Sequence, residues 1–347
     1  MIKVYDDSKI FVPCSGKIVS GGAELLHQLV SYLRNNGVDA YVYYYGHGVT
    51  DIPNDYKCYN IKLAENIEYN PHNILILFEP QFYRAAEDTQ IQKILWWLSV
   101  DNFYKCSDNY LSIYDISTYS IYHALYVFAR RLRNRILGKN KSQKILSLKD
   151  LSKLDVVSAY QSEYAQNFLQ NHGFREMVPL KDYINIEHCH CFSKKGRKDI
   201  VLYNPKKGLK FTKSLIKLSP DIEWKPIINM TRQQVIDVMK TAKIYIDFGY
   251  HPGKDRLPRE CAMNGLCVIT GSRGSARFFE DVWLENKYKF DEKKSSKADI
   301  IFRIKETLKN YDECIDDFAF YRYKIMKEKD EFENQINELF SISTNNK

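Results

Sequence analysis

The chain has 347 residues, of which 44% are hydrophobic, and a formal net charge of +8 at pH 7. This length suits two domains with cores of their own and does not need disulfide bonds for stability. The sequence shows no long apolar N-terminal segment and no run of about 20 apolar residues, which argues against a signal peptide and a membrane span. We therefore expect a cytoplasmic protein, with its eight cysteines reduced.

The N-terminal half alternates short apolar runs with amphipathic segments, a pattern typical of βαβ units in a parallel sheet. A helix with a leucine stripe follows the first strand and ends at Gly37, and a second helix is predicted over 163–171. The predicted strands are 9–13, 38–45, 73–78, 94–100 and 156–159. We assign 1–180 to a Rossmann-like N-terminal domain.

The segment 181–198 is polar and aperiodic, and we interpret it as a linker. It contains His188, Cys189, His190 and Cys191, but four adjacent residues cannot all point at one ion, so no metal site is predicted there. A second alternation begins at 199, and we assign 199–347 to a C-terminal Rossmann-like domain with a helical tail. Its predicted strands are 199–203, 222–227, 244–246 and 266–270, and its predicted helices are 211–218, 232–240 and the tail from about 298.

The stretch 245–275 is dense in glycine and charge and lies between and after two predicted strands. Pro258 suits the first position of a short helix from Arg259 to Asn264, which Gly265 ends. Ligands of parallel α/β sheets bind at the carboxyl ends of strands, so we expect a crevice here. Cations suit phosphate, and a carboxylate in the first helical turn suits sugar hydroxyls. The charged residues of the crevice are Lys254, Arg256, Arg259, Glu260 and Arg273.

Three other places follow predicted strands. Gly21 and Gly22 open a helix, where glycine allows a ligand to approach the backbone; a tight turn is an equal alternative. Lys207 lies in a strand–turn–glycine–helix segment suited to phosphate, although it also suits a solvated lysine pair. Asp101 follows the strand at 94–100, where a general base or an acceptor-binding carboxylate would lie, or a capping residue.

The segment 123–144 contains seven cations and no acidic residue, together with apolar side chains. Such a segment can lie on an anionic membrane, or it can be a solvated helix that packs on the domain. No nucleic-acid-binding motif accompanies it, so we expect no nucleic-acid partner.

Four segments together resemble the group-1 glycosyltransferases of the GT-B fold, over about residues 10–290. Gly21-Gly22-Ala23-Glu24 with the helix after it resembles the first glycine loop of that family. Residues 162–174 resemble its end-of-domain segment, and 203–208 (YNPKKG) resembles its lysine–glycine turn. In 258–270 (PRECAMNGLCVIT), Glu260 falls on the glutamate that holds the ribose hydroxyls of the donor.

Two positions depart from the family. An earlier glutamate, eight residues before Glu260, touches the donor sugar there, but Pro252 stands here. The arginine that precedes the lysine–glycine turn is absent, and Asn204 and Pro205 stand near its place. Lys254 or Arg256 is a candidate replacement for the lost phosphate contact.

The resemblance implies two Rossmann-like α/β domains that face each other across a cleft. It implies a hexosyltransferase-type enzyme, with a nucleotide-sugar donor mainly on the C-terminal domain and a glycan or lipid-linked acceptor on the N-terminal one. It also implies retention of configuration and transfer without a metal or other cofactor. Its setting would be lipopolysaccharide or capsule synthesis, with the protein peripheral on the inner face of the membrane. The expected donor-binding residues are Gly21, Gly22, Lys207, Lys254, Arg256, Glu260 and Arg273, and the candidate catalytic residue is Asp101.

Two alternatives stay open at this point. One is a nucleotide-sugar epimerase or hydrolase of the same fold, against which the lack of an obvious carboxylate pair argues. The other is a non-catalytic nucleotide-binding scaffold, which the absence of the first glutamate favours.

Overall fold

A computed structural model describes residues 2–17, 19–45, 51–87, 90–106, 121–137, 146–185 and 192–342. The chain divides into two compact units: unit 1 is Met1–Asp182 with Asp330–Lys347, and unit 2 is Tyr183–Lys329. This division falls at the start of the predicted linker 181–198, in which 186–191, with the four His and Cys residues, lie outside the described residues. The described residues from Asp330 onward belong to unit 1, although the sequence assigned them to the C-terminal domain.

Unit 1 contains a parallel sheet, for which the described residues supply six strands. They are β1 (Lys9–Ser15), β2 (Asp39–Tyr45), β3 (Ile74–Phe78), β4 (Gln92–Trp97), β5 (Val157–Tyr160) and β6 (Met177–Pro179). Their order is β2-β1-β3-β4-β5-β6. The central strands β3 and β4 are buried on both faces, which explains their continuous apolar sequences. β6 escaped prediction because it has three half-buried residues.

Three of the described helices of unit 1 begin at a serine N-cap. They are α1 (Gly21–Asn35), α2 (Val100–Cys106), α3 (Ile121–Ile136), α4 (Leu148–Leu151) and α5 (Glu163–Asn171). The hydroxyls of Ser20 and Ser162 accept hydrogen bonds from the N–H groups of Ala23 and Ala165, which fixes the starts of α1 and α5. The predicted strand 94–100 is too long at its end, since Val100 already belongs to α2.

Unit 2 contains a second parallel sheet. Its strands are β7 (Lys198–Tyr203), β8 (Glu223–Pro226), β9 (Ala242–Asp247), β10 (Cys267–Gly271) and β11 (Lys289–Phe290). Its helices are α6 (Leu209–Leu218), α7 (Arg232–Thr241), α8 (Arg256–Met263), α9 (Lys297–Lys309), α10 (Tyr311–Cys314) and the first part of α11 (Ala319–Phe340). The strand order is β11-β10-β9-β7-β8, so β9 lies in the middle of the sheet.

These two parallel sheets with their helices confirm the predicted α/β class. Of the helices that the structure describes, none combines the length and apolar composition that crossing a bilayer requires.

Candidate functional site

Three loops meet at the carboxyl edge of the unit 2 sheet, because β7, β9 and β10 are neighbours and parallel. They are 204–208, 248–255 and 272–274. Gly208 has φ +59°, and a Cβ there would lie 2.5 Å from the carbonyl oxygen of Phe248. A Cβ on Gly249 would collide with Cβ of Lys207, and one on Gly274 with the carbonyl oxygen of His251. The glycines therefore let the three loops pack into one surface.

Lys207 lies at the centre of this surface. Its stem passes over Gly249, and its Nζ lies 2.5 Å from Oδ2 of Asp255. Burial alone would raise the pKa of Asp255, but the charges of Lys207 and His251 hold that pKa below its usual value. The Lys207 side chain keeps 30% of its surface exposed. The ammonium group is thus held by Asp255 in a side chain that stays partly exposed.

Arg273 braces the same surface from the β10 side. One Nη2 hydrogen donates to the carbonyl oxygen of Phe248 at 2.8 Å, and Nη2 also lies 2.9 Å from Oε1 of Glu292. The Arg273 side chain keeps 28% of its surface exposed, so it can offer charge to a ligand while its partners hold its orientation.

Lys254 points into unit 2. Its Nζ lies 2.8 Å from Oε1 of Glu328, and the other oxygen of that carboxylate lies 2.7 Å from Nη1 of Arg259. All three side chains are buried. The structure therefore gives Lys254 an internal counter-ion, whereas the sequence grouped it with the phosphate contacts.

Helix α8 begins three residues earlier than predicted. Asp255 is its N-cap and Arg256 its first residue, so Pro258 is the third residue and Glu260 the fifth. The expectation that Pro258 opens the helix and that Glu260 lies in its first turn is wrong, because no acidic residue lies in that turn. Arg256 and Glu260 are both half-buried, and both have polar or ionic partners in the protein.

His251, like its partners Asp247 and Asp255, is a residue of this surface that the sequence did not single out. It is fully buried, with Nδ1 2.7 Å from Oδ2 of Asp255 and Nε2 3.6 Å from Oδ1 of Asp247. Burial lowers the pKa of His251, but the two carboxylates outweigh burial and raise it above its usual value. The sequence signal that could have identified His251 is its spacing: an aspartate lies four residues before it (Asp247) and another four residues after it (Asp255).

Asp247, His251 and Asp255 are also the residues of the described ranges whose spacing would suit a metal ion. The carboxylate of Asp247 already accepts from the Tyr245 hydroxyl at 2.8 Å and from the Gly249 N–H at 2.9 Å. The ammonium of Lys207 already lies against Asp255. A cation beside Lys207 would be repelled by it, so we treat the three residues as an ion-pair network and not as metal ligands.

In unit 1, the predicted residues lie at the carboxyl ends of different strands. Gly21 and Gly22 open α1 after β1 and are exposed. A Cβ on Gly22 would meet nothing within 4 Å, so packing gives no reason for a glycine there. Asp101 is the second residue of α2, after β4; it is buried and accepts from the Tyr164 hydroxyl at 3.3 Å.

Glu79 is a second buried carboxyl group of unit 1 that the sequence did not single out. It follows β3, the neighbour of β4, and its Oε1 accepts from the N–H of Ser99 at 2.5 Å. Burial, with a smaller contribution from the charge of Asp101, raises the pKa of Glu79 to about 8, although hydrogen bonds from backbone N–H groups oppose the shift. A carboxyl group that changes charge near neutral pH suits acid–base chemistry, and it also suits a structural role in the loop after β4.

Comparison with known proteins places this geometry in a fold. No family model matches the sequence, and no curated protein sequence matches it. Sucrose-phosphate synthase from Thermosynechococcus elongatus matches with a TM-score of 0.65 and 10% identity, over 96% of this chain and 98% of that one. Anabaena HepE in complex with UDP and glucose matches with a TM-score of 0.59 and 10% identity, over 96% and 99%.

The lipopolysaccharide outer core galactosyltransferase WaaB, in its apo form, matches with a TM-score of 0.56 and 10% identity, over 96% of this chain and 99% of that one. At such identities the likeness establishes the fold alone. The chain has the GT-B fold of these glycosyltransferases, which confirms, at the level of the fold, the resemblance found in the sequence.

Proposed function

We propose that the chain is a glycosyltransferase that moves a sugar from a nucleotide-sugar donor to a glycan or lipid-linked acceptor. The observation that carries this proposal is the set of three interlocked loops after β7, β9 and β10, where Lys207 and Arg273 are held in place but partly exposed. Oriented cations at the carboxyl edge of a parallel sheet suit the diphosphate of such a donor.

The donor binds unit 2 in this proposal. Lys207, Arg256 and Arg273 would contact the diphosphate, and Glu260 the ribose hydroxyls, as the family resemblance implies. Lys254 would act through the fold, since its ammonium faces Glu328. HepE was solved with UDP and glucose and with UDP-glucose, so uridine nucleotides are the first donors to test.

The reaction would break the bond between the anomeric carbon and the diphosphate oxygen and form a bond from that carbon to an acceptor hydroxyl. Lys207 and Arg256 would stabilise the diphosphate as it leaves, which is the task that a divalent metal performs in other transferases. We propose that the transfer retains configuration and needs no metal. Turnover that stops with EDTA and returns with manganese or magnesium would contradict the metal-free mechanism.

The acceptor would bind unit 1, where Asp101 follows β4, while Gly21 and Gly22 at the start of α1 stay candidate donor-binding residues. Asp101 is the candidate to take the proton of the acceptor hydroxyl. Glu79 lies close enough that the charge of Asp101 raises its pKa. The neighbour WaaB acts in the lipopolysaccharide outer core, which supports a role in lipopolysaccharide or capsule synthesis. A cytoplasmic protein that is peripheral on the inner face of the membrane through α3 would suit a lipid-linked acceptor.

The test is thermal unfolding of the purified protein with a panel of UDP-, GDP- and CMP-sugars. A ligand that binds only the folded protein increases the free energy of unfolding, by about 2.7 kcal/mol when its concentration is a hundred times Kd. The melting temperature rises accordingly. Protection by one nucleotide class, with release of the nucleotide (UDP, GDP or CMP) only when an acceptor is added, supports transfer. Release without an acceptor indicates a hydrolase, and no protection at all indicates a protein that does not bind these donors.

A further inference from the structure

Unit 2 contains an ion-pair network that the proposed chemistry does not yet use. His251 is 0% exposed, and its two ring nitrogens lie 2.7 Å from Oδ2 of Asp255 and 3.6 Å from Oδ1 of Asp247, as ion-pair contacts rather than well-aligned hydrogen bonds. Asp255 is also the counter-ion of Lys207. The network therefore connects the end of β9, the N-cap of α8 and the lysine of the β7–α6 loop.

The backbone of His251 is fixed independently of its side chain. Its carbonyl oxygen accepts from the N–H of Ser275 at 2.8 Å, and Gly274 packs against the same carbonyl group. The loop after β10 therefore fixes the point from which the imidazole extends.

His27 offers a contrast within the same chain. It is also 0% exposed, but its Nδ1 lies 2.6 Å from the carbonyl oxygen of Ala23 and its Nε2 2.7 Å from the hydroxyl of Tyr44. Burial lowers the pKa of His27, against weaker opposing effects. Equal burial with different partners thus shifts the pKa of the imidazole down in unit 1 and up in unit 2.

We propose that His251 is a positioning residue: its imidazolium ties Asp247 to Asp255 and thereby holds Lys207 at the carboxyl edge of the sheet. The proposal rests on the proposed function in one respect, namely that Lys207 contacts the diphosphate of the donor. The tie itself is a property of the protein without ligand.

The charges of the network explain why the proton matters. With His251 protonated, the two carboxylates of Asp247 and Asp255 face two cations, His251 and Lys207. Loss of the proton leaves Asp247 and Asp255 with Lys207 alone, and they repel each other. The remaining charged neighbours are Arg273 and Glu292, which pair with each other, so they add little net charge. Lys207 would then be drawn inward and offer less charge to an anion.

The first test needs no ligand. Nuclear magnetic resonance of the full chain with labelled histidine follows the ring shifts of His251 and His27 with pH, assigned through His251→Gln and His27→Gln variants. We expect His251 to be charged at pH 7 and His27 to be neutral in the same spectra. A neutral His251 at pH 7 overturns the proposal, whatever the protein binds.

The second test uses UDP as the probe. Calorimetry measures its affinity for the wild type and for His251→Gln between about pH 5.5 and 8.5, the range in which histidine titrates. As His251 loses its proton, the affinity of the wild type should fall about tenfold relative to that of the variant. The comparison isolates His251, because the phosphate groups of UDP titrate equally in both measurements. By reciprocity, saturating UDP should raise the pKa of His251.

The outcomes separate the two proposals. Equal affinities and parallel pH profiles for wild type and variant would overturn the role of His251, because a merely structural residue does not change the profile. If wild type binds no UDP, the nucleotide assignment fails while the ring shifts still decide whether the tie exists. If His251→Gln alone does not fold, the double variant Asp247→Asn/His251→Gln should, because it also removes the buried carboxylate that has lost its cationic partner.

Discussion

Arg259 and Glu328 form a buried ion pair in unit 2, with Nη1 of the arginine 2.7 Å from Oε2 of the glutamate. Lys254 shares the carboxylate, and the arginine also donates from Nη2 to the carbonyl oxygen of Lys254 at 3.0 Å. The pair connects α8 with α11, so it holds the helix that carries Arg256 and Glu260. Charges of the candidate site are thus divided between those that stay partly exposed, such as Lys207 and Arg273, and those that hold the loop.

Removing the carboxylate of Glu328 should destabilise the protein. Glu328→Gln leaves two buried cations with one neutral partner, and breaking a buried pair costs about 3–5 kcal/mol. Urea unfolding measures the loss. The control is Asp221→Asn, which breaks the exposed pair of Asp221 with Lys305. Equal stabilities of the two variants would show that the buried network contributes no more than a surface pair.

Replacing Glu260 should weaken donor binding with little loss of stability. The side chain is half-buried, and in the proposed complex its two oxygens accept from ribose hydroxyls, each bond contributing roughly 1.5–3 kcal/mol. Glu260→Ala should therefore raise the Kd of UDP by at least tenfold, and calorimetry measures it. A folded variant that binds as the wild type does would remove Glu260 from the site.

Two glycine-to-alanine substitutions distinguish a glycine that loop packing requires, Gly249, from one that a ligand could require, Gly22. Gly249→Ala should destabilise the protein, because its Cβ would collide with Lys207 and lie 2.8 Å from Oδ1 of Asp247. Gly22→Ala meets nothing within 4 Å and lies in a helix, so it should leave stability unchanged or raise it by up to about 1 kcal/mol. A loss of donor or acceptor binding in folded Gly22→Ala would place a ligand at the start of α1, whereas unchanged binding would exclude it.

Much of the fold could be predicted because the strands are continuous apolar runs followed by glycine or polar loops. β3 and β9 are examples, and α5 was predicted to the residue. Short elements such as β6 and β11 carry too few side chains to show a period. The sequence places Lys207 and Arg273 directly after predicted strands, and this was enough to predict where they lie. It could not predict which charged side chains of the site point into the protein. Lys254 turns toward Glu328, which is 74 residues away in the sequence and invisible to any local pattern.

The stability of the protein should depend on pH through Glu79. Its folded pKa of about 8 exceeds that of the free group, 4.5, so the native state binds the proton more tightly. The stabilising contribution is complete below the unfolded pKa and is lost as pH rises through 8. Glu79→Gln keeps an acceptor for Ser99 without the charge. As the pH rises from 4.5 to 8, the free energy of unfolding of this variant should increase relative to that of the wild type by roughly 3–5 kcal/mol. Parallel urea-unfolding curves across this range would contradict the prediction.

Helix α3 should bind anionic membranes. Its described apolar side chains are exposed, among them Tyr122 at 81% and Ile136 at 76%, and Arg130 and Arg133 are exposed beside them. At 100° per residue the exposed apolar positions occupy one side of the helix, the pattern of a helix that lies in a lipid interface. The other exposed apolar residues of this side are Ile121, Leu125, Tyr126, Phe128 and Leu132. The rest of the basic segment, 138–144, lies outside the described residues.

Each cation near an anionic leaflet contributes about 1 kcal/mol, so a few together hold a protein loosely on the surface, and salt should screen them. Co-sedimentation with vesicles rich in phosphatidylglycerol should therefore be strong at low salt and weak with phosphatidylcholine alone. Changing Arg130, Arg131, Arg133 and Arg135 to Gln should abolish it. The control changes four exposed lysines of unit 2 to Gln, namely Lys210, Lys213, Lys217 and Lys240, with the same loss of charge. If both variants sediment as the wild type does, or if the wild type does not sediment at low salt, α3 does not dock on lipid and a soluble acceptor becomes the better assignment.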